Sequence, residues 1–227
     1  MKTKLFAFVI ILIFLFPQTF AQKRRKTDTG IHFGILGGAG LQTFIGTDYW
    51  GEKLKNDFNP GFHGGGNVIL RFGPDLYFQP GLLFSMKGTK QNIITDNIIK
   101  TISLSYLEVP LNVLFRHQLG DGYILLGLGP YAAYGITGNE RTKTGPITVE
   151  LSVKYLVDAA EEPTSYVYYR GPDAGANFFV GYEFYNQIFC QLNAQMGLLK
   201  INSDYGYPND ITSKKNFGFG LSAGYRF

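Results

Sequence analysis

From Gly30 to the C-terminus, apolar and polar positions alternate with a period of two, in runs of roughly 11 to 16 residues bounded by Gly, Pro, Asp and Asn. Eight such runs are legible, over approximately 30–42, 61–72, 75–88, 101–116, 122–136, 174–185, 187–199 and 215–227. No useful stretch carries a helical period. A soluble strand usually has about five or six residues, whereas a tilted strand crossing a bilayer needs about 9 to 11. Every run meets the second requirement.

The connections alternate in length. Tight turns follow the second, fourth and sixth runs, at Gly73-Pro74-Asp75, Leu119-Gly120-Asp121-Gly122 and Tyr185-Asn186-Gln187. Long polar segments, roughly 43–60, 88–100, 137–173 and 200–214, follow the other four. Short turns on one side and long loops on the other characterise outer-membrane barrels, with the turns in the periplasm. The pattern therefore predicts an all-β fold: an eight-stranded antiparallel up-and-down transmembrane β-barrel with both termini periplasmic. Within the third long segment, Ile147, Val149, Leu151, Val153, Tyr155 and Val157 alternate with mostly polar residues, and 165–170 is also strand-like. Ten strands is therefore the alternative; the second piece is too short to cross a membrane, so the pair is expected to form a hairpin outside the barrel.

The two phases of each strand differ in kind. In the last, Phe217, Phe219, Leu221, Ala223, Tyr225 and Phe227 share one face, and Gly218, Gly220, Ser222, Gly224 and Arg226 the other. In the fourth, Leu107, Val109, Leu111, Val113 and Phe115 oppose Tyr106, Glu108, Pro110, Asn112 and Arg116, with Leu114 interrupting the polar set. A soluble lipocalin-like barrel would need a charged exterior. Gly, Ser, Asn and Gln make a poor one, but they suit the interior of a narrow barrel whose apolar face meets lipid. Composition agrees: 16% aromatic, 17% charged and 29 glycines, with strand glycines permitting tight coiling.

Residues 1–21 combine Lys2 and Lys4, an apolar run from Leu5 to Phe16, and Thr19-Phe20-Ala21. That is the pattern of a signal peptide cleaved after Ala21, the apolar run being too short for a spanning helix. Residues 22–29 form a basic lead-in and 30–227 the barrel domain. Beyond Ala21 there remain 19 basic against 17 acidic residues, too weak an excess for capture of nucleic acid. The single cysteine, Cys190, excludes an internal disulfide.

The sequence is poor in catalytic and cofactor signals. His32, His63 and His117 are scattered and match no metal-ligand spacing, although pairing of the first two strands would bring His32 and His63 near one another. Ser85 and Ser103 are ordinary strand residues unless a base stands beside them. GILGGAG (34–40) and GGG (64–66) lack the following helix and Lys-Ser/Thr of a phosphate loop. The reading is of no enzyme, no cofactor and no metal. Arg71, Glu108, Arg116, Glu183 and Arg226 fall on the inward phase, where burial of an unpaired charge is costly. They are expected to form a lumen network in which Glu183 pairs with arginines, filling the barrel as a plug. Tyr49, Trp50, Tyr205 and Tyr207 lie in the long segments, as loop contacts for a partner or as girdle residues.

The ending GLSAGYRF, with Tyr225 and Phe227, resembles the signal read by the barrel assembly machinery. YFQPGLLFSMKG (77–88), YLEVPLNVLF (106–115), GPYAAYGITG (129–138), DAGANFFVGYEF (173–184) and GFGLSAGYRF (218–227) resemble, in order, the strand motifs of the PorT-like outer membrane β-barrel family of Bacteroidetes-type bacteria. The resemblance implies a bacterial outer-membrane protein in contact with outer-membrane lipid and the assembly machinery. It does not imply one activity: its named member is associated with protein secretion across the outer membrane, and most relatives are identified only by the barrel domain. A structural, anchoring or loop-presenting role is expected, with a secretion component having envelope partners as the alternative and a rim-active enzyme as a third class.

Overall fold

The computed structural model describes residues 30–93 and 98–227. The signal peptide and lead-in expected over 1–29 lie outside the described residues. Among the described residues there are ten strands: β1 (Ile31–Thr47), β2 (Asn59–Arg71), β3 (Leu76–Ile93), β4 (Ile98–Leu119), β5 (Gly122–Thr144), β6 (Ile147–Tyr155), β7 (Val167–Tyr169), β8 (Pro172–Glu183), β9 (Ile188–Gly197) and β10 (Ser213–Arg226). Eight of them close a ring. Antiparallel neighbours run β1-β2-β3-β4-β5-β8-β9-β10, and β10 pairs back onto β1 from Gly34↔Arg226 to Thr47↔Ser213. Closure leaves the ring with no exposed strand edge, the condition for a sheet to stand in hydrocarbon.

The period-two pattern is realised as one lipid-side face and one lumen face. Leu128, Leu192 and Leu221 are each about 60% exposed, whereas Leu114, Leu125 and Ser222 on the opposite phase are almost wholly buried. Along β4 the outward apolar run is Leu107 to Phe115, and Ser105, Ser103 and Thr101 take over beyond it. Nine tilted residues at about 3.3 Å rise span roughly 20–25 Å, the height of a lipid-facing band. Strands β3, β4 and β5, of 18, 22 and 23 residues, run well past that band. Their extensions form a sheet that projects from the long-loop end.

This projection differs from the expected hairpin in the third long segment. Strand β6 turns back about Gly145-Pro146 and pairs antiparallel with the tip of β5, from Thr144↔Ile147 to Asn139↔Ser152. The two-residue turn needs glycine at its first central position, and Gly145 has φ of 58°. The 165–170 piece contributes only β7, which lies parallel to β6 at Val153↔Val167 to Tyr155↔Tyr169. The hairpin partner of β6 is thus β5: the expected fifth strand, ending at 136, in fact continues to Thr144 and supplies the open edge. A bulge between Ser105 and Tyr106 marks where the projection leaves the barrel.

Candidate functional site

The lumen is filled in layers. At the turn end, Glu183 receives two hydrogen bonds from Arg116, Nε at 3.0 Å and Nη2 at 2.8 Å, and a third from Arg226 Nη1. Arg116 also lies 3.5 Å above the Tyr123 ring. Arg71, assigned to the same network from sequence, does not join it. Its exposed guanidinium donates to the carbonyls of Gly73 and Pro74 at 3.0 and 3.1 Å, because its position at the strand end lets it fold over the turn.

Next comes an apolar layer of Ile69, Tyr77, Leu114, Leu125, Phe179 and Phe189, drawn from six of the eight ring strands. The small neighbours Gly127 and Gly224 make room for it: a Cβ at either would overlap the Phe179 or Phe189 ring. Above lies a chamber of about 100 Å³, where His63, Asn67, Gln79, Asn112 and Asn193 share the lining with apolar side chains such as Leu36. That volume holds several waters. Here Ser222 Oγ lies 2.6 Å from His63 Nε2 and accepts a hydrogen bond from Asn193 at 2.6 Å. His32 does not approach His63, for His32 stands opposite Ile69 and His63 opposite Gly38, six positions further along β1.

The next layer holds a second ionic cluster. Lys87, only 1% exposed, bridges Glu108 at 2.9 Å and Asp173 at 3.2 Å and sits 4.1 Å above the Tyr131 ring. Gln195 donates to Glu108 at 2.7 Å, while Tyr131 and Asn216 donate to Asp173 at 3.0 and 2.8 Å. Lys87 and Asp173 were missed from sequence, although Lys87 continues the inward phase of Gln79 and Ser85. The outermost layer is apolar again: Phe44, Ile102, Leu104, Tyr106, Val153, Tyr169 and Ile201. Val153, Tyr169 and Ile201 come from outside the ring, so the third and fourth long segments close over the mouth.

The sequence-selected aromatics divide by position. Tyr49 donates to the Pro208 carbonyl at 2.9 Å and meets Trp50 edge-on, tying the first long segment to the last. Trp50 is 80% exposed and Tyr207 64%. Tyr205 is held against Tyr168, whose backbone N–H donates to its hydroxyl at 3.1 Å, and burial raises the Tyr205 hydroxyl above its ordinary range. Tyr225 and Phe227 face outward at the turn end and touch edge-on. In the projecting sheet, Glu150 accepts hydrogen bonds from Asn139 and Arg141, which hold its carboxyl below the usual range. Among the described residues no group of three or more His, Cys, Asp or Glu is placed to hold a metal ion.

Two solved structures are similar to this chain over most of its length. Ail, the attachment invasion locus protein of Yersinia pestis, is 14% identical over 86% of this chain and 98% of its own, with a TM-score of 0.37. Neisserial surface protein A is 8% identical over 88% of this chain and 98% of its own, with a TM-score of 0.43. No sequence among the curated proteins matches the chain. The model of one family, described as the outer membrane protein beta-barrel domain, matches residues 20–203, so that a closed ring with an apolar exterior and a matching family model lead to one conclusion: this chain belongs to the outer membrane protein beta-barrel domain family.

Proposed function

We propose that this protein is a non-enzymatic integral barrel of the bacterial outer membrane that presents its projecting sheet and long segments to the outside, with its lumen closed by its own side chains. The observation carrying this reading is the sequence of layers inside the ring: two apolar layers and two ionic clusters, with a chamber of about 100 Å³ between them. Eight strands enclose a space that side chains can fill, so such an interior supports a plug rather than a conduit. The chain ends of β1 and β10 share the turn end, which on this reading is periplasmic, with 1–21 removed after Ala21 and Tyr225 and Phe227 read by the assembly machinery. The Ser222–His63 pair does not revive an enzyme: no carboxylate among the described residues is hydrogen-bonded to His63, and the pair faces an internal chamber. A secretion component is the second reading, favoured by the PorT-like segments YLEVPL and the terminal GYRF.

The test pairs two measurements on the full-length protein. In planar lipid bilayers the purified barrel gives no steady conductance. On intact cells, added protease cleaves within 147–166 but leaves the short turns whole. Steady large conductance overturns the plug, and cleavage at the turns in place of the long segments reverses the orientation.

A further inference from the structure

The projecting sheet has one edge that the fold leaves open. Strand β6 pairs with β5 along Ile147–Ser152, but β7 covers its other side only from Val153 to Tyr155. Among the described residues no further backbone hydrogen bond reaches 147–152. Six residues therefore present a bare edge of about 20 Å, which is the length of a typical strand. Every second residue along it directs its N–H and C=O away from β5, into solvent.

Natural edges carry devices that discourage pairing, such as an inward charge, a lysine or a proline within the strand. Over 147–152 this one carries no lysine, no proline and no inward charge, and its one charged side chain, Glu150, stands on the outer face. Pro146 precedes it and Lys154 follows, where β7 already lies alongside. Ile147 and Val149 stand 64% and 50% exposed on the mouth-side face, in the phase of the buried Val153. They continue a row across the sheet, Ile93 beside Ile98, Ile98 beside Thr144 and Thr144 beside Ile147. The opposite face is polar, with Thr148, Glu150 and Ser152, and its one carboxylate is already engaged by Arg141 and Asn139.

We infer that the free edge of β6 is a docking site for an extended peptide segment of a partner protein, added as a further strand with its β-branched or aliphatic side chains over the mouth and polar ones outward. The chemistry of the edge selects the occupant. Unpaired peptide groups in register are matched by another peptide backbone and by neither lipid nor saccharide. Antiparallel pairing with a second copy in the same membrane is excluded by symmetry. Antiparallel self-pairing with Val149 opposite Val149 needs a two-fold axis normal to the sheet, which would turn one barrel upside down. The inference rests on the loop-presenting reading.

The experiment uses full-length protein in lipid nanodiscs and a fluorescent synthetic octapeptide alternating Val and Thr. Binding is followed by anisotropy, and amide exchange by NMR before and after saturation. The expected result is saturable binding, at least tenfold slower exchange at alternate residues within 147–152, and at least tenfold weaker binding to Val149→Lys, with Tyr207→Ala unchanged. No saturable binding, protection confined to other segments, or undiminished binding to a folded Val149→Lys barrel overturns the inference. If Val149→Lys does not fold, the exchange pattern of the unaltered protein decides alone. Protease cleavage of 147–166 on intact cells without any peptide binding sinks this inference and leaves the loop-presenting reading standing.

Discussion

Glu183 holds two arginines together in the lumen, and Glu183→Gln is the sharpest perturbation of the ionic interior. The carboxylate is 2% exposed and accepts from both Arg116 and Arg226, the latter 4% exposed with its Nε unpartnered among the described residues. An amide of the same shape keeps the packing and removes the negative charge that both guanidinium groups share. Breaking a buried pair by removing one member costs about 3–5 kcal/mol, because the charge left behind is uncompensated. With a urea dependence of about 1–3 kcal/mol per molar, the unfolding midpoint falls by roughly 1–5 M. The assay is urea titration of the purified barrel in detergent, with the folded fraction read from its faster band on an unheated gel. Adding Arg226→Met to Glu183→Gln removes one of the stranded cations, so the double variant recovers part of the loss. A midpoint lowered by less than the equivalent of about 1 kcal/mol would refute the argument that this carboxylate balances the arginines.

Lys87→Met leaves Glu108 and Asp173 facing each other without their shared cation, and the same titration should show a loss of about 3–5 kcal/mol, reduced when Asp173→Asn is added. The tip of the β5–β6 hairpin is expected to loosen in acid. Asn139 and Arg141 hold Glu150 below its ordinary value of 4.5, so its contribution is complete above that value and disappears as pH falls through the lowered one. Amide protection factors at 139–152, which are corrected for the intrinsic pH dependence of exchange, should fall over that window in the native protein and stay flat in Glu150→Gln.

The strand count and the sidedness of the barrel were legible because lipid and lumen impose opposite chemistry on alternate residues. Leu192 and Gln191 could not exchange places without stranding an amide in hydrocarbon. The projecting sheet was not legible to the same degree. Beyond Leu107 the outward positions of β4 become Ser105, Ser103 and Thr101, so the contrast that marks a membrane strand disappears while the hydrogen-bonded ladder continues. The parallel placement of β7 depends on where the 156–166 segment returns, which no local pattern encodes. In the lumen, Arg116, Glu183 and Arg226 announced themselves as charges on the inward phase. Lys87 and Asp173 fell at the margins of their runs, where phase is hardest to carry: Lys87 stood one residue from the end of the third run and Asp173 just before the sixth, in the long segment. Leu114, seen as an interruption, belongs to a full apolar layer that becomes visible only when Leu125 and Phe179 are brought beside it. The Ser222–His63 contact joins positions 159 residues apart and depends on closure of β10 onto β1, whose other edge carries β2.

The central claim is a closed barrel that stands in the outer membrane with its apolar face to lipid. It is tested most directly by fractionating the envelope and running the outer-membrane fraction on a denaturing gel with and without boiling. The account predicts that this protein is in that fraction and that its band shifts on boiling, as the hydrogen-bonded ring of β1–β5 and β8–β10 survives detergent until heated. A soluble periplasmic protein whose band does not move would contradict it, and would mean that the face of Leu192 and Leu221 packs against protein instead of lipid.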